Sequence, residues 1–81
     1  MRTYYPKNWQ IIQLSAKKYC VVYFSNEPVD TINGWFNSGV EIMGYNVTGK
    51  SNARSTLIWL IANTRTMTDI NDVIRWCEEN D

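Results

Sequence analysis

Chemistry-bearing residues concentrate between positions 34 and 55, GWFNSGVEIMGYNVTGKSNARS. The stretch holds all four glycines of the chain, Trp35, Phe36 and Tyr45, a run of Asn and Ser, and the cations Lys50 and Arg54. Glycine lets a backbone approach a ligand closely, and short polar side chains beside it offer donors without bulk. The composition reads as a binding-loop system on a small β-rich scaffold. It also describes two ordinary turns in a meander.

Within the stretch, Gly44, Gly49, Lys50 and Ser51 satisfy the phosphate-loop pattern G-x-x-x-x-G-K-[S/T], with residues 40–43 (VEIM) as a candidate preceding strand. The motif works when successive backbone N–H groups wrap the phosphates, the Lys reaches the outer ones and the Ser holds magnesium at the start of a helix. A working nucleotide hydrolase also needs a parallel sheet with crossover helices and a second acidic motif, for which 81 residues leave no room. What survives is narrower: Gly49, Lys50, Ser51 and Asn52 form a candidate anion-binding nest.

No general base or nucleophile stands out, so no catalytic residue is expected. The chain has no histidine, and Cys20 and Cys77 stand far apart without C-x-x-C spacing, which argues against a thiolate–imidazole metal site. No cofactor is expected either. Both cysteines sit in apolar patterns, where buried free thiols are the common outcome; a strand-to-helix disulfide is the alternative. Asp69 and Asp72 read as first-turn charges of a helix, not as a working carboxylate pair.

These residues must be positioned by a small scaffold. At 81 residues the chain is one domain, residues 1–81, able to bury about 60 to 65 per cent of its unfolded surface. Eight basic and eight acidic residues cancel, which argues against a general binder of long nucleic acid or of membrane surfaces. Their distribution is uneven. Residues 1–54 carry six of the cations, whereas residues 55–81 carry Asp69, Asp72, Glu78, Glu79 and Asp81 against Arg65 and Arg75. No run approaches the roughly 20 apolar residues of a membrane span, and the first ten residues lack the apolar core of a secretory signal. A soluble cytoplasmic protein is the expectation.

The expected architecture is α+β: a small antiparallel sheet of about five strands over residues 9–62 and one C-terminal helix over residues 68–79. Residues 9–14 (WQIIQL) and 19–24 (YCVVYF) are β-branched and aromatic, separated by Ser15, Ala16, Lys17 and Lys18, and read as an antiparallel hairpin. Trp9 and Ile11 share one face, Ile12 and Leu14 the other. Residues 25–33 read as a loop because Pro28 blocks a central strand, with a short helix over 29–36 as the second choice. A third strand over 35–43 is expected around a Ser38–Gly39 turn, a fourth over 45–48 with Gly44 between them, and a fifth from Arg54 or Ser55 to Ala62. The last segment is rich in Thr and Ile, and a helix there is possible but not favoured. The C-terminal helix takes Thr68 or Thr66 as its cap, and Ile70, Val73, Ile74 and Cys77 as its apolar stripe.

Tyr5-Pro6-Lys7-Asn8-Trp9 ahead of a strand, Gly34-Trp35-Phe36-Asn37-Ser38-Gly39-Val40, and Tyr45-Asn46-Val47-Thr48-Gly49-Lys50-Ser51 together resemble a family of small proteins of large tailed phages of enteric bacteria and cyanobacteria. Members carry a Y-P-x-x-W-like start, a W-x-x-N-S-G segment, and an aromatic strand leading into G-x-S-x-S. Here a single residue, Phe36, separates Trp35 from Asn37, the last motif lacks its second serine, and residues 27–32 replace a glycine-rich segment before the Trp. The resemblance implies a candidate sponge protein that sequesters a nucleotide second messenger of bacterial immunity in the host cytoplasm. The other class is a protein–protein inhibitor presenting an aromatic sheet face or edge, motivated by four Trp and five Tyr.

Such a ligand presents phosphates and bases, so its site needs cations or N–H nests, stacking planes and groups for base edges. Lys50, Arg54, Gly49 and Ser51 are the candidates for the first, Trp35 or Tyr45 for the second, and Asn37, Ser38 and Gly39 for the third. Nanomolar sequestration requires about -12 kcal/mol, while a stacked base gives roughly 1 to 3 kcal/mol. A homo-oligomer with the site near its interface is therefore expected.

Overall fold

The computed structural model describes residues 3–80. The first two strands form where β-branched and aromatic residues alternate: β1 (Trp9–Gln13) pairs antiparallel with β2 (Lys18–Phe24), Ile11 lying opposite Val21. The Leu14 N–H donates to Lys18 O at 2.8 Å and closes the turn. On its other side β2 pairs antiparallel with β5 (Glu41–Thr48), so the sheet order is β1-β2-β5. The central position explains the Val21-Val22-Tyr23 run, which is buried on both faces of the pleat. A separate ribbon pairs β3 (Val29–Thr31) with β4 (Gly34–Phe36).

The fold class is α+β, with five strands in two antiparallel sheets and two helices among the described residues. The expected fifth strand from Arg54 or Ser55 to Ala62 is instead part of a helix, α1 (Lys50–Thr64), so the large sheet ends at Thr48 and not at Ala62. Ala53, Leu60 and Thr64 are buried and Leu57 packs against the core. Their spacing of seven and four is helical, and burying Leu60 contributes about 2 kcal/mol. Packing on the sheet thus overrides the weak helix propensity of Thr, Ile and Asn.

Three smaller corrections follow. The expected loop over 25–33 contains β3; Pro28 precedes it, and a two-stranded ribbon has free edges that need no proline N–H. The expected third strand stops at Phe36, gives way to the Ser38–Gly39 turn with Gly39 at φ +80°, and the rest merges with the expected fourth strand as β5. Gly44 does not separate them, because it sits in the ladder opposite Val22. A Cβ there would come within 2.6 Å of Glu41 Oε1 and 2.9 Å of Cys20 Sγ, so glycine is the residue that lets these side chains lie over the strand.

The expected C-terminal helix is α2 (Ile70–Glu79), with Ile70, Val73, Ile74 and Cys77 buried. Its cap is Asp69, whose carboxylate accepts from Asn71 N–H at 2.9 Å, and neither Thr68 nor Thr66 fills that place. Asp72 lies in the first turn as expected and pairs with Arg75 at 2.7 Å.

Both helices cover the sheet face that carries Trp9, Val21 and Tyr23, and they meet through Trp59 and Trp76, whose ring centroids are 4.9 Å apart. Tyr4 stacks on Tyr23 at 5.4 Å, and Trp9 meets Tyr23 edge-on at the same separation. Trp9 Nε1–H donates to Tyr4 Oη at 2.7 Å, and Tyr4 and Thr64 hydroxyls lie 2.7 Å apart. Thr64 gives its proton to Leu60 O at 2.5 Å. Tyr4 must therefore be the donor to Thr64, and the buried chain runs in one direction from indole to helix carbonyl.

Candidate functional site

The helix that replaces the expected strand creates the most ligand-like feature at its own start. Gly49 stands at the N-cap with φ +91°, a conformation that L side chains rarely adopt, and turns β5 directly into α1. It has no capping side chain. The first helical bond is Ala53 N–H to Gly49 O at 3.1 Å, which leaves the N–H groups of Lys50, Ser51 and Asn52 without helical acceptors. No acid occupies the first turn. The positive end of a 15-residue helix therefore meets Lys50 and Arg54 instead of the carboxylates that usually neutralise it.

Two further cations join them. Gly49 N–H donates to Lys17 O at 2.8 Å, and Lys18 lies opposite Thr48 in the ladder, so the β1–β2 turn abuts the helix start. Lys17, Lys18, Lys50 and Arg54 are all exposed, and among the described residues none makes an ion pair. Lys50, Ser51, Arg54, Ser55 and Ile58 line a shallow hollow of about 570 Å³. Such a pole can accept phosphate oxygens through two side-chain cations and N–H groups at a helix start.

The other expected site residues do not join this cluster. Asn37 O accepts from Ser25 Oγ at 2.6 Å and Gly39 N–H donates to Ser25 O at 2.8 Å, which ties Asn37, Ser38 and Gly39 to the far end of β2. From Lys17 to Ser25 is eight residues of extended chain, roughly 25 Å. Trp35 sits on β4 with 60% of its surface exposed, so it is not a core residue. Tyr45 lies between the poles, half-buried under α2, its hydroxyl donating to Cys77 O at 3.2 Å. The expected site is thus divided: Gly49, Lys50, Ser51 and Arg54 at one end, Trp35, Asn37, Ser38 and Gly39 toward the other.

The phosphate-loop match is resolved by the same geometry. A helix does follow Ser51, but residues 44–48 are extended and laddered to β2. The four residues between the glycines therefore cannot curl around a phosphate. Lys17 and Lys18 were missed as site residues. They were visible as an adjacent pair of cations in a hairpin turn, but their approach to Gly49 depends on β5 pairing with β2.

Both cysteines are buried, and no disulfide joins them. Burial pushes the Cys20 thiol up from its ordinary value and the Glu41 carboxylate adds to the effect, which keeps it protonated near neutral pH. Among the described residues no group of His, Cys, Asp and Glu could hold a metal ion, and no helix is long and apolar enough to cross a membrane. No family model, curated protein or solved structure matches the chain.

Proposed function

We propose that the protein binds and sequesters a nucleotide second messenger of bacterial immunity, a cyclic oligonucleotide or an ADP-ribose derivative, without cleaving it, as a phage immune-evasion protein in the host cytoplasm. The observation that carries the reading is the set of four cations that, among the described residues, have no ion-pair partner, around a helix start without a capping side chain. The resemblance at residues 5–9, 34–40 and 45–51 supports the role assigned to it. Phosphates bind at the Lys50–Arg54 pole, where Ser51 and Ser55 add hydroxyls.

A base plane is not available at that pole from Trp35 of the same chain, given roughly 25 Å of β2 between the two ends. The ligand-binding form is therefore a homo-oligomer in which a second copy brings its Trp35 and Asn37 to the cationic pole of the first. Binding is measured as thermal stabilisation by a panel of cyclic di- and trinucleotides, ADP-ribose derivatives, and ATP with magnesium. A ligand at 100 times its dissociation constant adds about 2.7 kcal/mol, roughly 10 to 20 °C for a domain of this size. A shift for one signalling nucleotide, lost in Arg54→Ala and with the ligand recovered intact, supports the proposal. A flat panel, a strictly monomeric protein at saturating ligand, or recovery of a hydrolysed ligand refutes it.

One observation favours a second reading, in which the chain inhibits a host protein. Trp35 at 60% and Ile58 at 65% exposure are large apolar side chains presented to solvent, as interface anchors are. Under that reading Trp35→Ala abolishes partner capture and Arg54→Ala does not.

A further inference from the structure

β5 pairs with β2 on one side and, among the described residues, with no strand on the other. Alternate residues of an antiparallel strand turn their N–H and C=O groups to each side, so an outer row of backbone groups faces away from the sheet. Beside that row is a hollow of about 340 Å³ lined by Met43, Gly44, Tyr45, Asn46 and, from α2, by Ile74, Cys77 and Glu78. Met43 and Tyr45 belong to one face of the pleat and Gly44 and Asn46 to the other, so the hollow lies along the strand's free edge and not over either face. Asn33, in the β3–β4 turn, closes one end, and that turn is fixed to α2 by Ile32 N–H donating to Asn71 Oδ1 at 2.8 Å. The result is a groove between an edge strand and a helix, with the glycine of the strand at its middle.

We propose that this groove takes an extended segment of a partner protein, which adds to β5 as a fourth strand of the sheet. The charge of the groove states what that segment carries. Among the described residues that line it Glu78 is the one that is charged, Glu79 follows, and both stand in the last turn of α2, where the helix dipole is also negative. Ile74 and Cys77 beside them are apolar. The segment therefore presents to the helix an aliphatic side chain and, two residues along, a lysine or arginine; the intervening side chains face solvent. A second copy of this chain fits poorly, because residues 41–48 hold Glu41 and no cation to place against Glu78.

The probe is a capped hexapeptide Thr-Val-Thr-Lys-Thr-Val, whose valines and lysine share one face. Titration into the full chain, followed by backbone-amide NMR, should move the amides of residues 43–46 and 74–78 saturably. Methylating alternate peptide nitrogens should abolish this, since it removes the strand hydrogen bonds and keeps the side chains. Glu78→Lys, an exposed position that folding does not depend on, should weaken the probe roughly three- to fivefold and favour its glutamate analogue, the range expected of one exposed ion pair. The proposal is overturned by equal binding of the methylated peptide, by shifts mapping to β1, by indifference to Glu78→Lys, or by an absence of shifts at millimolar probe. It is also overturned if the same amides shift on dilution of the protein alone, because the occupant is then a second copy.

Discussion

Tyr4→Phe tests the buried hydrogen-bond chain with little else changed. Phenylalanine keeps the ring that stacks on Tyr23 at 5.4 Å and removes only the hydroxyl. That hydroxyl accepts from Trp9 Nε1 and donates to Thr64 Oγ1, each at 2.7 Å, and both Tyr4 and Trp9 are 4% exposed. The variant leaves the indole N–H buried without an acceptor, which costs about 1 to 3 kcal/mol, and loses one ordinary hydrogen bond besides. Thr64 keeps its bond to Leu60 O, so the helix end is spared. A total near 2 to 3 kcal/mol is a large share of the roughly 4 to 12 kcal/mol expected for a domain of this length. The unfolding midpoint should fall by roughly 8 to 20 °C. Urea unfolding followed by tryptophan fluorescence gives the free energy directly. Thr64→Val breaks the next link, and the double variant should cost less than the sum of the singles, because the two groups share one chain. A Tyr4→Phe protein within about 0.5 kcal/mol of the parent, below the cost of any orphaned buried donor, would refute the one-directional chain.

Two further predictions follow from the same core and from the helix start. Burial pushes the Tyr23 hydroxyl up to about 12, so the folded state holds a proton that the unfolded state releases near pH 10. Its contribution is complete below pH 10 and is lost as pH rises toward 12, at most about 2.7 kcal/mol for a shift of two units. Tyr23→Phe should flatten the fall in stability between pH 10 and 12, read from urea midpoints; an unchanged slope would assign the fall to other groups. Lys50→Glu should raise ligand-free stability by about 0.3 to 1 kcal/mol, because it replaces a cation at the positive end of α1 with an anion, and should abolish phosphate-ligand stabilisation in the same melting assay. A variant that loses both stability and binding would show that Lys50 serves the fold and not the ligand.

The parts legible in the sequence were those with a strong local period. The β1–β2 hairpin follows from two aromatic and β-branched runs around a polar turn, and α2 follows from Ile70, Val73, Ile74 and Cys77 at helical spacing. The segment over 50–64 was not legible because it is apolar nearly all round in its second half. Ile58, Trp59 and Ile61 continue alongside Leu57 and Leu60, so neither period dominates. Only the need to cover the sheet decides for a helix. Gly44 misled in the opposite direction: a glycine ordinarily marks a strand's end, but here it serves a close approach by Glu41 and Cys20 within an unbroken strand. The cap of α2 was off by one residue, since Thr68 and Asp69 are both good caps and the sequence alone does not say which is extended.

The candidate site was half legible for a related reason. Glycine, cation and serine at 49–51 stand where a strand meets a helix, and their local order is enough to bring them together. Trp35, Asn37, Ser38 and Gly39 are close to them in sequence but are held apart by β5, whose eight residues run the length of β2. Proximity along a chain implies proximity in space only when the intervening segment turns, and residues 41–48 do not turn. The same strand that separates the two groups leaves an open edge beside α2. Ligand capture by both poles therefore requires two chains, whereas capture of an extended segment at the β5 edge requires one. The oligomeric state at saturating nucleotide, measured with the edge probe present and absent, separates the two proposed activities: nucleotide should drive association, and the probe should bind the monomer and the oligomer alike.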